Sequence, residues 1–443
     1  MFSEEDRVRQ SLRHSVWDGI FAGAMGGFTQ EYFAPFLLLI NATARQIGIL
    51  TAVPNLLAAL LQIRSTEVSK LLGSRKRVLT IFVLLQALML IPMAAVALFH
   101  GNAGSVYVFI MFVTLFTAFG AFATPAWGSM MSDLVPQENR GDFFGRRNGL
   151  AGIVAIAAMF AAGFIVHYTE PFSASLGFAL IFGAAFLFRM LSWSYLKKMY
   201  EPPMAAESRK RLVFMKFLSR MKEDNFSRFV VSVSLMNFAV NLAGPFFAVL
   251  MLRNLKFSYL LYTVIMVAAS LSVFLTTWRW GRHADHVGNV KVVKATSLLI
   301  CTIPLLWLIS LQPAFLVCAQ IYSGFLWAGF NLSAANFVYD AVPSRDRTRS
   351  IAYFNVINGV ALFAGAMTGG YLVQVLPPLL GYKILTLLVI SSLLRFAVRF
   401  LLIGRLREVR PVGRVRSSEL FFSIIGIKPL LGIERKTLRY RIF

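Results

Sequence analysis

Residues 132–140 read Ser-Asp-Leu-Val-Pro-Gln-Glu-Asn-Arg, and residues 339–347 read Tyr-Asp-Ala-Val-Pro-Ser-Arg-Asp-Arg. When the second stretch is shifted back by 207 positions, identical residues align without a gap. The aligned pairs include Asp133/Asp340, Pro136/Pro343, Arg140/Arg347, Asn148/Asn355, Gly152/Gly359 and Gly163/Gly370. Each copy lies between two long apolar segments. An internal repeat in this setting predicts a duplicated membrane protein with many spans.

Composition gives the same class of protein. The chain has 443 residues, of which 57% are hydrophobic and 14% charged, and its mean hydropathy is +0.67. These values indicate an integral membrane protein. The net charge of +24 does not predict a nucleic-acid partner, because most Lys and Arg residues lie in short connections between apolar segments. Cys301 and Cys318 lie inside apolar segments, so no disulfide, metal site or cofactor is expected.

Segments of about 20 apolar residues divide the chain into twelve predicted spans, in two sets of six. The first set lies near 15–40, 47–66, 78–99, 105–131, 148–168 and 173–195. The second set lies near 229–252, 258–278, 292–311, 313–338, 351–375 and 378–403. An all-α integral membrane protein follows from this pattern.

The distribution of basic residues tests the span count independently. With twelve spans, about 40 of the 44 Lys and Arg residues lie on the same side of the membrane as both termini. The exceptions are Arg45, Arg253, Lys256 and Lys383. The sequence therefore predicts a multi-pass protein of the cell (inner) membrane with both termini in the cytoplasm.

Four regions follow from the spans and their connections. We expect an N-terminal six-helix bundle at 1–196, a cytoplasmic linker at 197–228, a C-terminal six-helix bundle at 229–403 and a basic cytoplasmic tail at 404–443. The tail contains the apolar run 420–427, which is too short to span a bilayer. It is suited to lie at the anionic inner leaflet, but an ordinary solvated tail is an equal alternative.

After the eighth span, residues 281–291 read Gly-Arg-His-Ala-Asp-His-Val-Gly-Asn-Val-Lys. This segment resembles the loop signature of the major facilitator superfamily, and the twelve-span layout with its repeat extends the resemblance over most of the chain. The resemblance implies two pseudo-symmetric six-helix bundles, secondary transport by alternating access, and a gate-latch role for Asp285. The corresponding loop of the first half has Lys70 where the family has Asp, so the sequence does not decide whether that loop also acts as a latch.

Asp133 and Asp340 each precede a Val-Pro at the cytoplasmic end of a span, and Arg140 and Arg347 follow at the same spacing. We interpret them as pairs of a cytoplasmic gate. The structural alternative is that each Asp ends one helix and caps the next.

Glu31 is the acidic residue that lies well inside a predicted span, whereas Asp18 in the same span lies nearer the cytoplasm. A carboxylate inside a membrane is costly and usually functional. Glu31 is therefore expected to carry the coupling proton or to bind a cationic group of the substrate. The alternative is a carboxylate fixed by hydrogen bonds to neighbouring helices.

The resemblance also implies a central cavity lined by the first, fourth, seventh and tenth spans. The polar and aromatic candidates on these spans are Gln30, Tyr32, Trp127, Asn237, Asn241, Tyr322, Trp327, Asn331 and Asn336. Amide and aromatic side chains without a deep Lys or Arg favour a neutral or weakly polar organic solute. The alternative for each residue is a hydrogen bond that only joins two helices.

These features together predict a monomeric, proton-coupled secondary transporter that contacts a small-molecule solute and the lipid bilayer. One alternative is a transporter-like membrane sensor or lipid-handling protein that does not turn over a small solute. An enzyme is not expected. All five His residues fall in loops or at span ends, where they form no catalytic or metal cluster with other residues.

Overall fold

A computed structural model describes residues 4–101, 104–136, 139–203, 225–342 and 347–409, except for the side chains of a few residues within these ranges. Most of the predicted linker, and the tail run 420–427, lie outside them. In the described part of the chain the secondary structure is helical apart from one isolated β-bridge between Leu379 and Tyr382.

The first half contains six membrane crossings. Span 1 consists of the helices Glu4–Thr29 and Phe33–Leu39, and spans 2, 3 and 4 are Ala44–Leu71, Arg75–Phe99 and Gly104–Leu134. Helix Arg140–Lys198 has 59 residues, which corresponds to about 88 Å, whereas a bilayer core is about 30 Å thick. Its backbone is not helical at Ser173 (φ −167°, ψ 107°), so the two arms before and after Ser173 are spans 5 and 6.

The second half repeats this order. Span 7 consists of Asn225–Asn241, Phe246–Ala248 and the π-helix Val249–Asn254, and span 8 is Tyr259–Val287. Span 9 consists of Asn289–Ile300 and Ile303–Ile309. Spans 10, 11 and 12 are Pro313–Ala341, Arg347–Val375 and Lys383–Leu401, and the 3₁₀ turn Ile403–Arg405 follows.

Ten of the described helical segments are long and apolar enough to cross a membrane. One of the ten is helix Arg140–Lys198, whose two arms form spans 5 and 6. Span 1 is less apolar because it begins with a charged turn and contains two acidic residues, yet it packs along spans 5 and 6. The prediction of twelve spans in two six-helix bundles is confirmed.

The two halves meet along two seams. Span 5 packs against span 8, and span 11 packs against span 2. We call the end of the bundle where the chain begins the terminus face, and the opposite end the far face.

The duplicated glycines lie in these seams. A Cβ atom added to Gly163 would lie 2.1 Å from Oγ1 of Thr263, and one added to Gly359 would lie 2.5 Å from Cβ of Ala59. Their copies show the same relation at wider distances: Gly152 faces Phe274, and Gly370 faces the backbone of Arg45. Since small residues let membrane helices approach closely, these four glycines permit the contact between the halves.

Exchanging the two small residues at the tightest point of the span 2–span 11 seam tests this role. Gly359→Ala is expected to lower the stability of the purified protein by about 1–3 kcal/mol, because the added methyl group overpacks the seam against Ala59. The double variant Gly359→Ala/Ala59→Gly should recover part of the loss, less about 1 kcal/mol for a glycine in a helix.

The measurement is thermal unfolding in detergent. Gly149→Ala is the control, because a Cβ atom at Gly149 meets nothing within 4 Å. Equal stability of the Gly359→Ala and Gly149→Ala variants would show that the seam does not depend on the missing side chain.

Candidate functional site

Span 1 is interrupted inside the membrane. Its first helix ends at Thr29, residues 30–32 form a turn, and the second helix begins at Phe33. Span 7, its counterpart in the second half, is interrupted in the same way by the turn at 242–245. Interrupted helices in corresponding positions of the two halves mark the binding region in many transporters, because they free backbone polar groups at mid-membrane depth.

Glu31 lies in the turn of span 1 and is half-buried. It precedes the last residue of the second helix, Leu39, by eight positions, which places it roughly 12 Å from the far end of the span. Among the described residues, none donates a hydrogen bond to its carboxylate or pairs with it. The carboxylate is therefore available to a proton or to a ligand.

The backbone around Glu31 is held by the other half of the protein. Tyr262 of span 8 donates its hydroxyl to the backbone oxygen of Glu31 at 3.0 Å. The hydroxyl of Tyr32 donates to the backbone oxygen of Met159 at 2.5 Å and lies 2.9 Å from Oγ1 of Thr263. The turn of span 1 is thus fixed to span 5 of its own half and to span 8 of the second half.

Asp18, the other intramembrane acid of span 1, has a different environment. Its carboxylate accepts hydrogen bonds from Arg147 at 2.9 Å and from Ser192 at 2.7 Å. Arg189, also buried, donates to Ser192 at 3.1 Å and to Gln86 at 2.6–2.9 Å. All these partners belong to the first half, so Asp18 and the two arginines form a closed polar network that joins spans 1, 3, 5 and 6.

The predicted cavity residues fall into two groups. Gln30 and Asn331 are exposed, and Asn336 and Trp327 are half-buried, without a described hydrogen bond from the side chain. The others contact the protein itself. Tyr32 is fully buried, so its predicted place on the cavity wall is wrong: the turn of span 1 points its ring into the contact between the halves.

The remaining cavity candidates take part in helix packing. Asn237 donates to Oδ1 of Asn358 at 2.7 Å and thereby joins spans 7 and 11, while Asn241 donates to the backbone of Asn237. The hydroxyl of Tyr322 lies 3.3 Å from that of Thr302 in span 9. The contacts of Asn237 and Tyr322 match the alternative in which polar side chains join neighbouring helices, whereas that of Asn241 stays within span 7.

Trp127 packs its ring under the guanidinium group of Arg147, whose Cζ lies 4.2 Å from the ring centroid. Its indole Nε1 is buried and has no hydrogen-bond partner among the described residues. Trp127 therefore lies against the Asp18 network rather than alone on a cavity wall.

Asp133 pairs with Arg75 and not with Arg140. Arg75 is buried at the start of span 3 and donates to Asp133 at 2.5 Å, and its Nε lies 3.8 Å from Glu201. Arg140 instead donates to the backbone oxygens of Ser132 and Val135. The predicted pair is corrected because Arg140 closes the turn between spans 4 and 5, and the alternative of helix capping applies to it.

The second half has a corresponding cluster at the start of span 9. Asn289, at the start of span 9, donates to Asp340 at 2.7 Å. Glu408 accepts from the backbone N–H of Val290 at 2.8 Å, as Glu201 accepts from that of Arg75 at 2.6 Å. Each cluster caps a helix N-terminus and ties three spans of one half together.

The remaining gate candidates are Asp285 and Arg347. Asp285 is exposed near the end of span 8. Arg347 begins span 11, but its side chain lies outside the described part of the chain.

Sequence reasoning missed several residues that organise the site: Arg75, Arg147, Glu201, Tyr262, Thr263, Asn289 and Glu408. Glu201 and Glu408 are separated by the same 207 positions as the repeat, so that signal was present in the sequence. Arg75 and Asn289 are 214 positions apart, which hides their relation from an ungapped alignment.

Comparisons with known proteins agree with this architecture. The sequence model of the Major Facilitator Superfamily matches residues 19–366 and 229–438. Similar solved structures include a single-residue variant of the nucleoside transporter NupG (TM-score 0.71, 15% identity, 90% of this chain and 100% of that chain). They also include a D-xylose-proton symporter (TM-score 0.69, 11% identity, 91% of this chain and 97% of that chain). A third is a bacterial homolog of the human lysosomal transporter Spinster (TM-score 0.62, 12% identity, 91% of this chain and 96% of that chain). These identities are low enough that the likeness shows the fold alone. No curated protein matches the sequence.

The Arg75–Asp133 pair can be tested by a double-mutant cycle. Arg75→Gln and Asp133→Asn are each expected to destabilise the protein. Their combined effect should be smaller than the sum by about 1–2 kcal/mol, since Arg75 is buried but Asp133 is 39% exposed.

The measurement is again thermal unfolding in detergent. The control cycle is Arg146→Gln with Asp142→Asn, an exposed pair at 3.0 Å that should show almost no coupling. Equal coupling in the two cycles would contradict a special role for the buried arginine.

Proposed function

The chain belongs to the Major Facilitator Superfamily, a family of secondary transporters, and we propose that it moves a small, neutral or weakly polar organic solute in exchange for, or together with, protons. The two six-helix halves would rock about a site between them, so that this site faces one side of the membrane at a time. The observation that carries the proposal is the carboxylate of Glu31 in the interrupted span 1.

Glu31 suits a proton carrier because of its surroundings. Burying a charged carboxylate without a partner costs several kcal/mol, and a proton removes that cost. In the described part of the chain its carboxylate has no counter-charge, and its backbone is bonded to the other half. Its environment therefore changes when the halves move, which is the requirement for coupling proton binding to transport.

Asp18 supports this choice by contrast. Its carboxylate already has Arg147 and Ser192 as partners, both within the first half. Because that half moves as a body, the surroundings of Asp18 stay the same in both states. Asp18 is accordingly a structural charge in this proposal.

The solute class follows from the groups left without partners. The exposed amides of Gln30 and Asn331 offer hydrogen bonds. Asn336 and Trp327, which lie in the same span as Asn331, offer a further amide and a stacking surface. The buried arginines Arg147, Arg189 and Arg395 all have partners in the protein, so they offer little to an anion. An uncharged solute such as a nucleoside or a pentose fits this set.

The orientation and the gate complete the proposal. Basic residues concentrate at the terminus face, so we place that face in the cytoplasm and the protein in the inner membrane. The regions 1–196 and 229–403 would be the two moving halves, joined by 197–228. Asp133, Asp340 and Asp285, with Arg347, would stabilise the closed state of the cytoplasmic side, supported by the helix-capping clusters.

The alternative is a sensor or lipid-handling protein that binds a ligand without moving it. The basic residues at the terminus face would suit a protein that handles lipids. They do not favour that alternative, because basic residues contact lipid head groups in many membrane proteins. Net flux in liposomes separates the two functions, because a sensor binds without flux.

Glu31→Gln provides the decisive test. Ligands are first selected by thermal stabilisation from a panel of nucleosides and neutral sugars, including D-xylose. In proteoliposomes, the unmodified chain should accumulate the selected solute when a proton gradient is imposed. Glu31→Gln should abolish this accumulation but keep exchange of labelled for unlabelled solute, because exchange needs no net proton movement.

Asp142→Asn is the matched control, since it removes an exposed carboxylate whose partner among the described residues is Arg146 at the surface. It should leave accumulation unchanged. Accumulation by Glu31→Gln at the rate of the control would remove this residue from the coupling mechanism, and binding without any flux in the unmodified chain would favour the sensor.

A further inference from the structure

The interruption of span 1 leaves backbone groups that span 1 cannot satisfy by itself. In a bilayer each free carbonyl must find a donor within the protein. The carbonyl of Glu31 finds it in the other half, where the hydroxyl of Tyr262 lies at 3.0 Å and is almost fully buried. The backbone oxygen of Glu31 thus has this hydrogen bond only while the halves are in contact at the far face.

Tyr32, the next residue, makes the second contact of this kind. Its hydroxyl donates to Met159 and lies 2.9 Å from Oγ1 of Thr263, while Thr263 donates to the backbone oxygen of Tyr259. Tyr32 and Thr263 have one hydroxyl proton each, and these protons are donated to the backbone oxygens of Met159 and Tyr259. No proton then remains for the contact between the two hydroxyls. This contact is easily opened.

The approach of Thr263 depends on the seam glycine opposite to it. A Cβ atom at Gly163 would lie 2.1 Å from Oγ1 of Thr263, so only glycine leaves room for the hydroxyl at this place. A third contact lies nearer the far face, where Arg253 of span 7 donates to the backbone oxygen of Ala42 at 2.7 Å. All three contacts join the two halves near the turn of span 1 or beyond it.

From this geometry we infer that Tyr262 is a positioning residue: its hydroxyl completes the interrupted span 1 and, with the Tyr32–Thr263 contact, closes the far face over Glu31. Opening the far face must break both contacts, and only then does water from that side reach the carboxylate. Proton access to Glu31 and closure of the far face are therefore one event. The inference deepens the proposed function, and the link to proton access rests on it.

Thiol labelling tests the closure without a solute. The starting chain carries Cys301→Ala, Cys318→Ala and Gln30→Cys, which places one thiol at the exposed residue beside Glu31. Whole cells are treated with a membrane-impermeant maleimide from the far face. Adding Tyr262→Phe should raise the labelling rate about fivefold, the shift expected from one lost hydrogen bond.

Matched controls exist in the same span. Tyr259→Phe removes a hydroxyl that has no described hydrogen bond, and it should leave the rate unchanged. Thr263→Val should raise the rate less than Tyr262→Phe does, because the Tyr32–Thr263 contact has no proton of its own. Thr277→Val should leave the rate unchanged, because the described hydrogen bond of its hydroxyl stays within its own helix. Labelling of Tyr262→Phe at the rate of Tyr259→Phe would overturn the inference.

The pH dependence of labelling separates this inference from the proposed function. The raw rate rises with pH because maleimide reacts with the thiolate, so each rate is divided by that of a small free thiol at the same pH. A charged Glu31 disfavours the closed state, so this ratio should rise with external pH, and Glu31→Gln should remove that rise. Tyr262→Phe should raise the rate at every pH. If Tyr262→Phe accelerates labelling but Glu31→Gln leaves the pH dependence intact, the closure stands and proton carriage by Glu31 fails.

Discussion

The contact between the two halves depends on the absence of side chains at four glycines. Gly163 lets Thr263 reach the hydroxyl of Tyr32, and the same approach brings Tyr262 to the backbone of Glu31. A methyl group at Gly163 would move span 8 outward, and both the Tyr262–Glu31 hydrogen bond and the Tyr32–Thr263 contact would be lost. The polar chemistry at the turn of span 1 therefore rests on a packing constraint in span 5.

The two intramembrane acids of span 1 show how environment divides similar groups between structure and function. Asp18 is bound by Arg147 and Ser192, which are residues of its own half. Buried ionic networks add little stability compared with apolar packing, so this one is better understood as fixing the relative positions of four spans.

The sequence predicted the twelve spans and the two halves, because each leaves a periodic or repeated signal along the chain. It did not predict that Asp133 binds Arg75, since the two residues are 58 positions apart and meet only when spans 3 and 4 pack together. Tyr32 was misplaced for a related reason. Its burial depends on the contacts of its hydroxyl with Met159 and Thr263, which are 127 and 231 positions away along the chain.

The spacing of the seam glycines also limits how the halves can move. Gly152 and Gly163 are eleven residues apart on span 5, or about 16 Å, and both face span 8. When rigid halves rock about a point between these two contacts, tightening one must loosen the other. Glu31 lies on the far-face side of that point and is bonded across the seam, whereas Asp18 lies on the terminus side and is bonded only within its half. Rocking therefore changes the surroundings of one carboxylate and preserves those of the other, although both belong to the same span.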